Sequence, residues 1–356
     1  MSSINRRDFL KGGLFAGGGL LAANFLALVE YRRAQAQPLR AAMSSAGLAG
    51  TWNAEGKKAA EYFGQLLGVE IVWWDGEFDP TKQRAKFDQL ATETWDFVAV
   101  QPNSIGTLKE PIQTLASNGI PVIDMDTLIV PLQELYDLGV LTFIAPDNVF
   151  MSESVTRKLV EKTGGAGKYA HIWGQQGHTG AQARAQGFKN VVAGYPDIEV
   201  VAEEFGDWDV AKVASLTETI LNRHPDLNAI FCHNDDMALA ARKVVESAGL
   251  ESQVFIGGVD AMQPAMEAVR DGKLVATARN STTRIHGWAV FAGVYAATVG
   301  LEAARTSLPK FVLADGPAIY GDIDSKPELA NEPWKLSNYG MTAVDGLVWA
   351  ADQFLF

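Results

Sequence analysis

FCHNDDMALAARKVVESAGL, residues 231–250, begins as one kind of structure and ends as another. An apolar run closes at Cys232, a polar cluster occupies His233 to Asp236, and an amphipathic pattern starts at Met237. That order reads as a strand, a tight connection and a helix, because apolar residues return at helical spacing only after the cluster. Asp235 and Asp236 stand where a helix needs an N-cap, so one of them is expected to cap it. Asn234 has two readings: a turn residue that satisfies nearby backbone, or an amide held beyond the strand end for a ligand.

The same unit recurs along the chain. VEIVWW (69–74), FVAVQ (97–101), PVIDMD (121–126) and LTFIAPDN (141–148) are strand-like runs separated by helical patterns. KYAHIWG (168–174), IEVVAEE (198–204), VFIGGVD (254–260) and LVATA (274–278) continue the series. The runs are continuously apolar rather than alternating, as expected when helices cover both faces of a sheet. The fold class is therefore α/β with mostly parallel sheets. About ten such strands exceed one compact doubly wound domain, so two lobes are expected. Trp73 and Trp74 fall inside a strand and are read as sheet residues. Beyond Phe311 the alternation stops, and that tail is expected to pack across the second lobe.

At 356 residues, with 47% of them hydrophobic, the chain has material for two cores. The formal charge is −12, and the first 36 residues hide part of it, since five basic residues there outnumber two acidic ones. Such an acidic remainder argues against nucleic acid and against anionic lipid as partners. Residues 1–36 form an export-signal layout. Paired Arg6 and Arg7 precede Asp8-Phe9-Leu10-Lys11, then a Gly/Ala/Leu-rich stretch, then Ala34-Gln35-Ala36, a small-x-small pattern for a signal peptidase. The arginine pair resembles a bacterial twin-arginine signal, which places the protein in the periplasm. A retained anchor is the other reading, because Gly12 to Val29 is about long enough to span a bilayer. Cys232 is the single cysteine, so no internal disulfide forms, and it reads as a small buried hydrophobe. No residue spacing calls for a metal, and no cofactor is expected.

In open α/β sheets ligands bind beyond the carboxyl ends of strands. The residues there are Ser44 and Ser45, Gln101 and Asn103, Asp124 and Asp126, Gly174 to Thr179, His233 to Asp235, Asp260, and Arg279 with Asn280. Carboxylates and carboxamides dominate. A carboxylate accepts several hydroxyl hydrogens and an amide both donates and accepts, so the set suits a neutral polyhydroxylated molecule.

HNDDMALAARKVVESAGL, VFIGGVD and AVRDGKLVATARN (268–280) together resemble the ribose-type periplasmic sugar-binding proteins, the capture subunits of ABC importers. NGIPVIDMD (118–126), IAPDN (144–148), QARAQGF (182–188) and GDWDVAKV (206–213) follow in the order of that family. The resemblance implies two doubly wound parallel-sheet lobes joined by a three-strand hinge, with the ligand cleft between them. It places residues 37–145 plus 282–310 in the first lobe and 146–281 plus 311–356 in the second, with crossings near Ala145, Ser281 and Pro309. It implies that Asn234, Asp260, Asn280 and Asp126 hydrogen-bond the ligand, and that Trp208 and Trp52 pack on its ring. Thr51-Trp52 stands where two aromatics usually sit, so one is absent. Two arginines of the family pattern fall here on Thr127 and Gln182, with Arg184 in a structural position. Their loss speaks against an anionic ligand and leaves a polyol as good a cargo as an aldopentose. Ser45 is expected to offer a hydroxyl at the first strand end. His178 and His233 are read as structural.

A monomeric receptor that does no covalent chemistry and delivers a small neutral carbohydrate or polyol to an ABC importer permease is the leading expectation. An exported sugar-acting α/β enzyme is the first alternative, although no Gly-x-Ser-x-Gly elbow or dinucleotide fingerprint occurs. A receptor reporting a sugar or other small signal to a chemoreceptor or sensor kinase is the second.

Overall fold

The computed structural model describes residues 27–32, 34–35 and 37–320. In the first lobe the order is β1 (Leu39–Ser45), α1 (Thr51–Leu67), β2 (Val69–Asp75), α2 (Pro80–Leu90), β3 (Phe97–Val100), α3 (Lys109–Ser117), β4 (Val122–Met125), α4 (Leu132–Leu135) and β5 (Thr142–Ala145). The chain then crosses over. The second lobe runs α5 (Asn148–Thr163), β6 (Gly167–Trp173), α6 (Thr179–Val192), β7 (Ile198–Phe205), α7 (Val210–Arg223), β8 (Leu227–Cys232), α8 (Asp235–Ser247), β9 (Phe255–Gly257), α9 (Gln263–Arg270) and β10 (Ala276–Asn280). It returns for α10 (Thr282–Val299), α11 (Leu301–Ser307) and β11 (Phe311–Leu313), and ends in β12 (Asp315–Tyr320).

Two six-stranded sheets result, ordered β11-β5-β4-β3-β1-β2 and β12-β10-β9-β8-β6-β7. Position for position the two orders match, so the lobes repeat one plan. All pairings are parallel except β12 against β10. Each sheet is buried on both faces. Met43, Phe97, Ala99 and Ile123 face α1 and α10, while Ala42, Val98, Val100 and Val122 pack with Phe87 of α2 and Ile112 of α3. In the second sheet Ile172, Ile230, Cys232 and Ile256 pack with residues of α7 and α8, and Tyr169, Ala229, Phe231 and Ala278 with residues of α5 and α6. This explains the unbroken apolar runs. Burial pushes the Cys232 thiol up, so the lone cysteine acts as core. Trp73 and Trp74 lie in edge strand β2, packed against opposite cores.

The third crossing differs from the expectation. Phe311 to Leu313 extend the first sheet, with Phe311 opposite Phe143 and Leu313 opposite Ala145. The chain passes to the second sheet only at Ala314, whose N–H donates to Ala145 O at 2.9 Å. The physical reason is that Val312 is apolar and buried in the first core, which holds this short strand on its own side. From Asp315 the chain runs beside β10. Within the expected export signal, residues 27–32 are helical, Leu28 and Val29 are buried against the first lobe, and Arg32 donates to Leu67 O and Gly68 O at 3.3 Å. The arginine pair, residues 34–36 as a complete pattern, and the tail beyond Tyr320 lie outside the described residues.

Candidate ligand cleft

The strand ends of both sheets meet across a small, nearly closed cavity of about 40 Å³. Its lining includes Asp126 and Gln101 from the first lobe, Arg184, Asn234 and Asp260 from the second, and Asn280 at the crossing. Asp126 follows β4 and Asp260 follows β9, the fourth strand met along the chain in each lobe. Both residues hold left-handed backbone, φ 61° and φ 121°, which is uncommon for a residue with a Cβ and concentrates at functional sites. Their amides are tied down, Asp126 N–H to Ile144 O and Asp260 N–H to Ala278 O.

A hydrogen-bonded chain crosses the floor. Ala46 N–H donates to Gln101 Oε1 at 3.0 Å, and Gln101 Nε2 donates to Asp126 Oδ2 at 2.9 Å. Asn280 Nδ2 then bridges the carboxylates, at 3.4 Å to Asp126 Oδ1 and 3.3 Å to Asp260 Oδ1. Arg184 Nη2 donates to Asp260 Oδ1 at 3.0 Å, Nε donates to Asn148 Oδ1 at 2.8 Å, and Nη1 donates to His233 O. Burial raises the Asp126 carboxyl above its usual range. It also pushes Asp260 up to about 7, against the pull of Arg184. Each carboxylate is buried yet hydrogen-bonded, the condition under which a charge survives inside a protein.

Aromatic walls come from two matching loops. GEFD (76–79) follows β2 and GDWD (206–209) follows β7. In each, the two residues after the glycine have left-handed backbone, the aromatic lines the cavity and the last Asp caps the next helix. Phe78 thus takes the place in the first lobe that Trp208 takes in the second. His178 also lines the cavity and lies edge-on to Trp208 at 5.1 Å. Its Nδ1 accepts from Ala181 N–H, which leaves Nε2 to carry the proton, and burial pulls the ring down to about 3, so it stays neutral.

Behind this wall a buried relay fixes the loop that begins at Gly174. Gly174 N–H donates to His233 Nδ1 at 3.1 Å, so His233 donates from Nε2 to His171 Nε2 at 2.8 Å. His171 in turn donates from Nδ1 to Glu203 Oε1 at 3.1 Å. Burial lowers the pKa of both rings. A Cβ on Gly174 would come within 2.0 Å of the Trp208 ring. Gly174→Ala is therefore expected to displace Trp208, cost about 1–3 kcal/mol and weaken ligand binding. Chemical denaturation with a ligand titration checks both.

The model of the periplasmic binding protein domain family matches residues 41–300, most of the chain. The chain belongs to that family. It is similar to the ribose import binding protein of Bacillus subtilis (strain 168), 28% identical over 221 residues covering 62% of this chain and 69% of that one. It is also similar to a xylitol-binding protein of Mycolicibacterium smegmatis, 27% identical over 64% of each chain. Among solved structures, an ABC transporter solute binding protein from Mycobacterium smegmatis with bound glycerol superposes with a TM-score of 0.73. That one is 27% identical and covers 82% of this chain and 96% of its own.

Of the residues a periplasmic binding protein was expected to use, Asn234, Asp260, Asp126, Asn280, Trp208 and Trp52 all line the cavity. Trp52 is fixed there by its Nε1–H, which donates to Asn280 O at 2.9 Å. Two candidates do not reach it. Gln182 is exposed on α6, while Arg184, expected to be structural, enters the cleft. Helical spacing puts Ala181, Arg184, Ala185 and Phe188 on the buried face, and a residue two before Arg184 faces nearly the opposite way. The cleft thus holds one arginine, and the hydroxyl of Thr127 is turned to Pro102 O. Ser45, the last residue of β1, is enclosed in the first lobe, and Ala46, just past the strand end, lines the cavity instead.

The capping assignment is corrected too. Neither aspartate caps α8. Asn234 does, its Oδ1 accepting Met237 N–H at 2.9 Å. Asp235 is buried and accepts from Met262 N–H and Thr277 Oγ1, and Asp236 turns to the other lobe. Phe78, Asn53 and His178 are cavity residues that the sequence reading passed over or set aside. The repeated G-acid-aromatic-Asp pattern was the signal for Phe78.

Proposed function

We propose that the cleft captures one neutral polyhydroxylated molecule, a monosaccharide or short polyol, and that the closed protein delivers it to the permease of an ABC importer. The observation that carries this reading is the convergence of two buried carboxylates from opposite lobes, Asp126 and Asp260, bridged by Asn280. Carboxylate oxygens accept hydroxyl hydrogens, and a ligand that touches both carboxylates ties the lobes together. Asn234, with Oδ1 committed to its helix, offers amide hydrogens, and the buried Asn53 Oδ1, without a partner among the described residues, is suited to accept from a hydroxyl. Phe78 and Trp208 offer faces for the C–H surface of a sugar or polyol. Three lining carboxylates against one guanidinium disfavour an anion.

The names of the relatives, a ribose and a xylitol binder, and the glycerol bound to the similar structure support this cargo class. In this reading the protein works in the periplasm as a monomer after twin-arginine export, with no covalent step. A missing or inverted hydroxyl leaves a buried acceptor unmatched and costs about 1–3 kcal/mol, which is the basis of selectivity.

A thermal-shift screen of unfolded and refolded protein against pentoses, hexoses, polyols and amino acids tests it. A ligand at 100 times its Kd is expected to stabilise the protein by about 2.7 kcal/mol. A response confined to charged compounds overturns the cargo assignment, and turnover of a glycoside overturns the receptor reading.

A further inference from the structure

We propose that Asp236 is the latch of the cleft: its carboxylate reaches from the second lobe to cap the first helix of the first lobe, and so sets how long a ligand stays enclosed. This rests on the reading of the cleft as a closing trap. Thr51 N–H donates to Asp236 Oδ2 and Thr51 Oγ1 donates to Oδ1, both at 2.9 Å, between residues 185 positions apart. Asp236 is half-buried and lines the cavity, so the contact lies at the edge of the site itself.

The chemistry of α1 explains why the contact favours the closed form. The helix begins at Thr51 after Gly50, which offers no side-chain cap, and its first turn contains no acidic residue. Its first N–H groups and the positive end of its dipole are left for an outside acceptor. Asp236 supplies a negative charge there only when the lobes are together. On opening, donor and carboxylate both return to water, so the bond contributes to the closed state alone. Other bonds that cross the cleft include three between neutral groups, Gln175 Nε2 to Phe78 O at 3.0 Å, Leu128 N–H to Thr179 Oγ1 at 3.0 Å and Ile105 N–H to Gly177 O at 3.3 Å, and the longer contact of Asn280 Nδ2 with the Asp126 carboxylate at 3.4 Å. Asp236 adds a shorter, two-donor charge-assisted contact, the stronger kind. A contact made only in the closed state acts on escape more than on encounter, so its effect belongs to dissociation.

Because Asp236 also lines the cavity, a direct touch on the ligand is the competing explanation, and a double-mutant cycle separates the two. Thr51→Pro removes both donors at once. Proline is favoured at the first position of a helix, and the extended Gly50 before it, φ −82° and ψ 137°, tolerates it. Dissociation of xylitol and of D-ribose, followed by tryptophan fluorescence, is expected to be about tenfold faster in Asp236→Ala and in Thr51→Pro, and no faster in the double variant. Effects that multiply in the double variant overturn the latch, since Asp236 then acts without Thr51. A second arm needs no cargo. The pair Thr51→Cys with Asp236→Cys is oxidised with and without these probes, the native Cys232 being buried. A disulfide is expected. No disulfide under either condition overturns the proposal, and failure of wild type to bind either probe counts against the cargo reading while this arm still decides the latch.

Discussion

Replacing Asp260 with Ala is expected to abolish ligand binding and to lower the stability of the second lobe by about 3–5 kcal/mol. Asp260 accepts from Arg184 Nη2 and Asn280 Nδ2 and is almost wholly buried. Truncation leaves the buried guanidinium beside a void, without the carboxylate that balances it. Asp260→Asn separates the two roles. It keeps the shape and one acceptor oxygen, so most of the stability returns, yet it removes the charge that accepts ligand hydroxyls, so affinity stays down about tenfold or more. Urea denaturation and titration with the compound that stabilises wild type read the two effects. Unchanged binding in the Ala variant removes Asp260 from the cleft chemistry.

Much of the fold was legible because its strongest signal is local. An apolar run without alternation followed by a helical pattern specifies a covered parallel strand, and β1 to β10 are built as such units. The short strand Phe311–Leu313 was not legible. Three residues carry no periodicity, and only pairing with Phe143 to Ala145 fixes which lobe they join. The site divided along similar lines. Residues that end strands, such as Asp126, Asp260 and Asn280, were found because the strand positions them. Residues whose role depends on helix phase or on a partner far along the chain were missed. Gln182 and Arg184 were exchanged by a two-residue slip on α6, and the capping role of Asn234 was given to its neighbours. Phe78 required seeing that GEFD and GDWD are one loop used twice, a relation visible only once each lobe is treated as a copy of the other.

Arg184→Gln is expected to destabilise the protein by about 3 kcal/mol at pH 8.5 and by clearly less at pH 6. Arg184 joins three parts of the second lobe: Asn148 just past the first crossing, His233 at the end of β8, and Asp260 beyond β9. Part of its loss is the loss of these bonds, which does not depend on pH. The rest depends on Asp260. In the folded protein that carboxyl titrates at about 7, well above an unfolded aspartate near 4, so its ionisation favours the unfolded chain as pH rises from about 4 to 7. Without the guanidinium the folded value climbs further, and this decline in stability continues above pH 7 instead of ending there. Below pH 7 Asp260 is protonated in both folded proteins and the missing charge matters little. The difference between variant and wild type therefore opens as pH rises through about 7. Denaturation midpoints at pH 6 and pH 8.5 measure it. An equal difference at the two values means that Arg184 holds the lobe by its bonds to Asn148 and His233 alone, and that its pairing with Asp260 contributes nothing to the closed cleft.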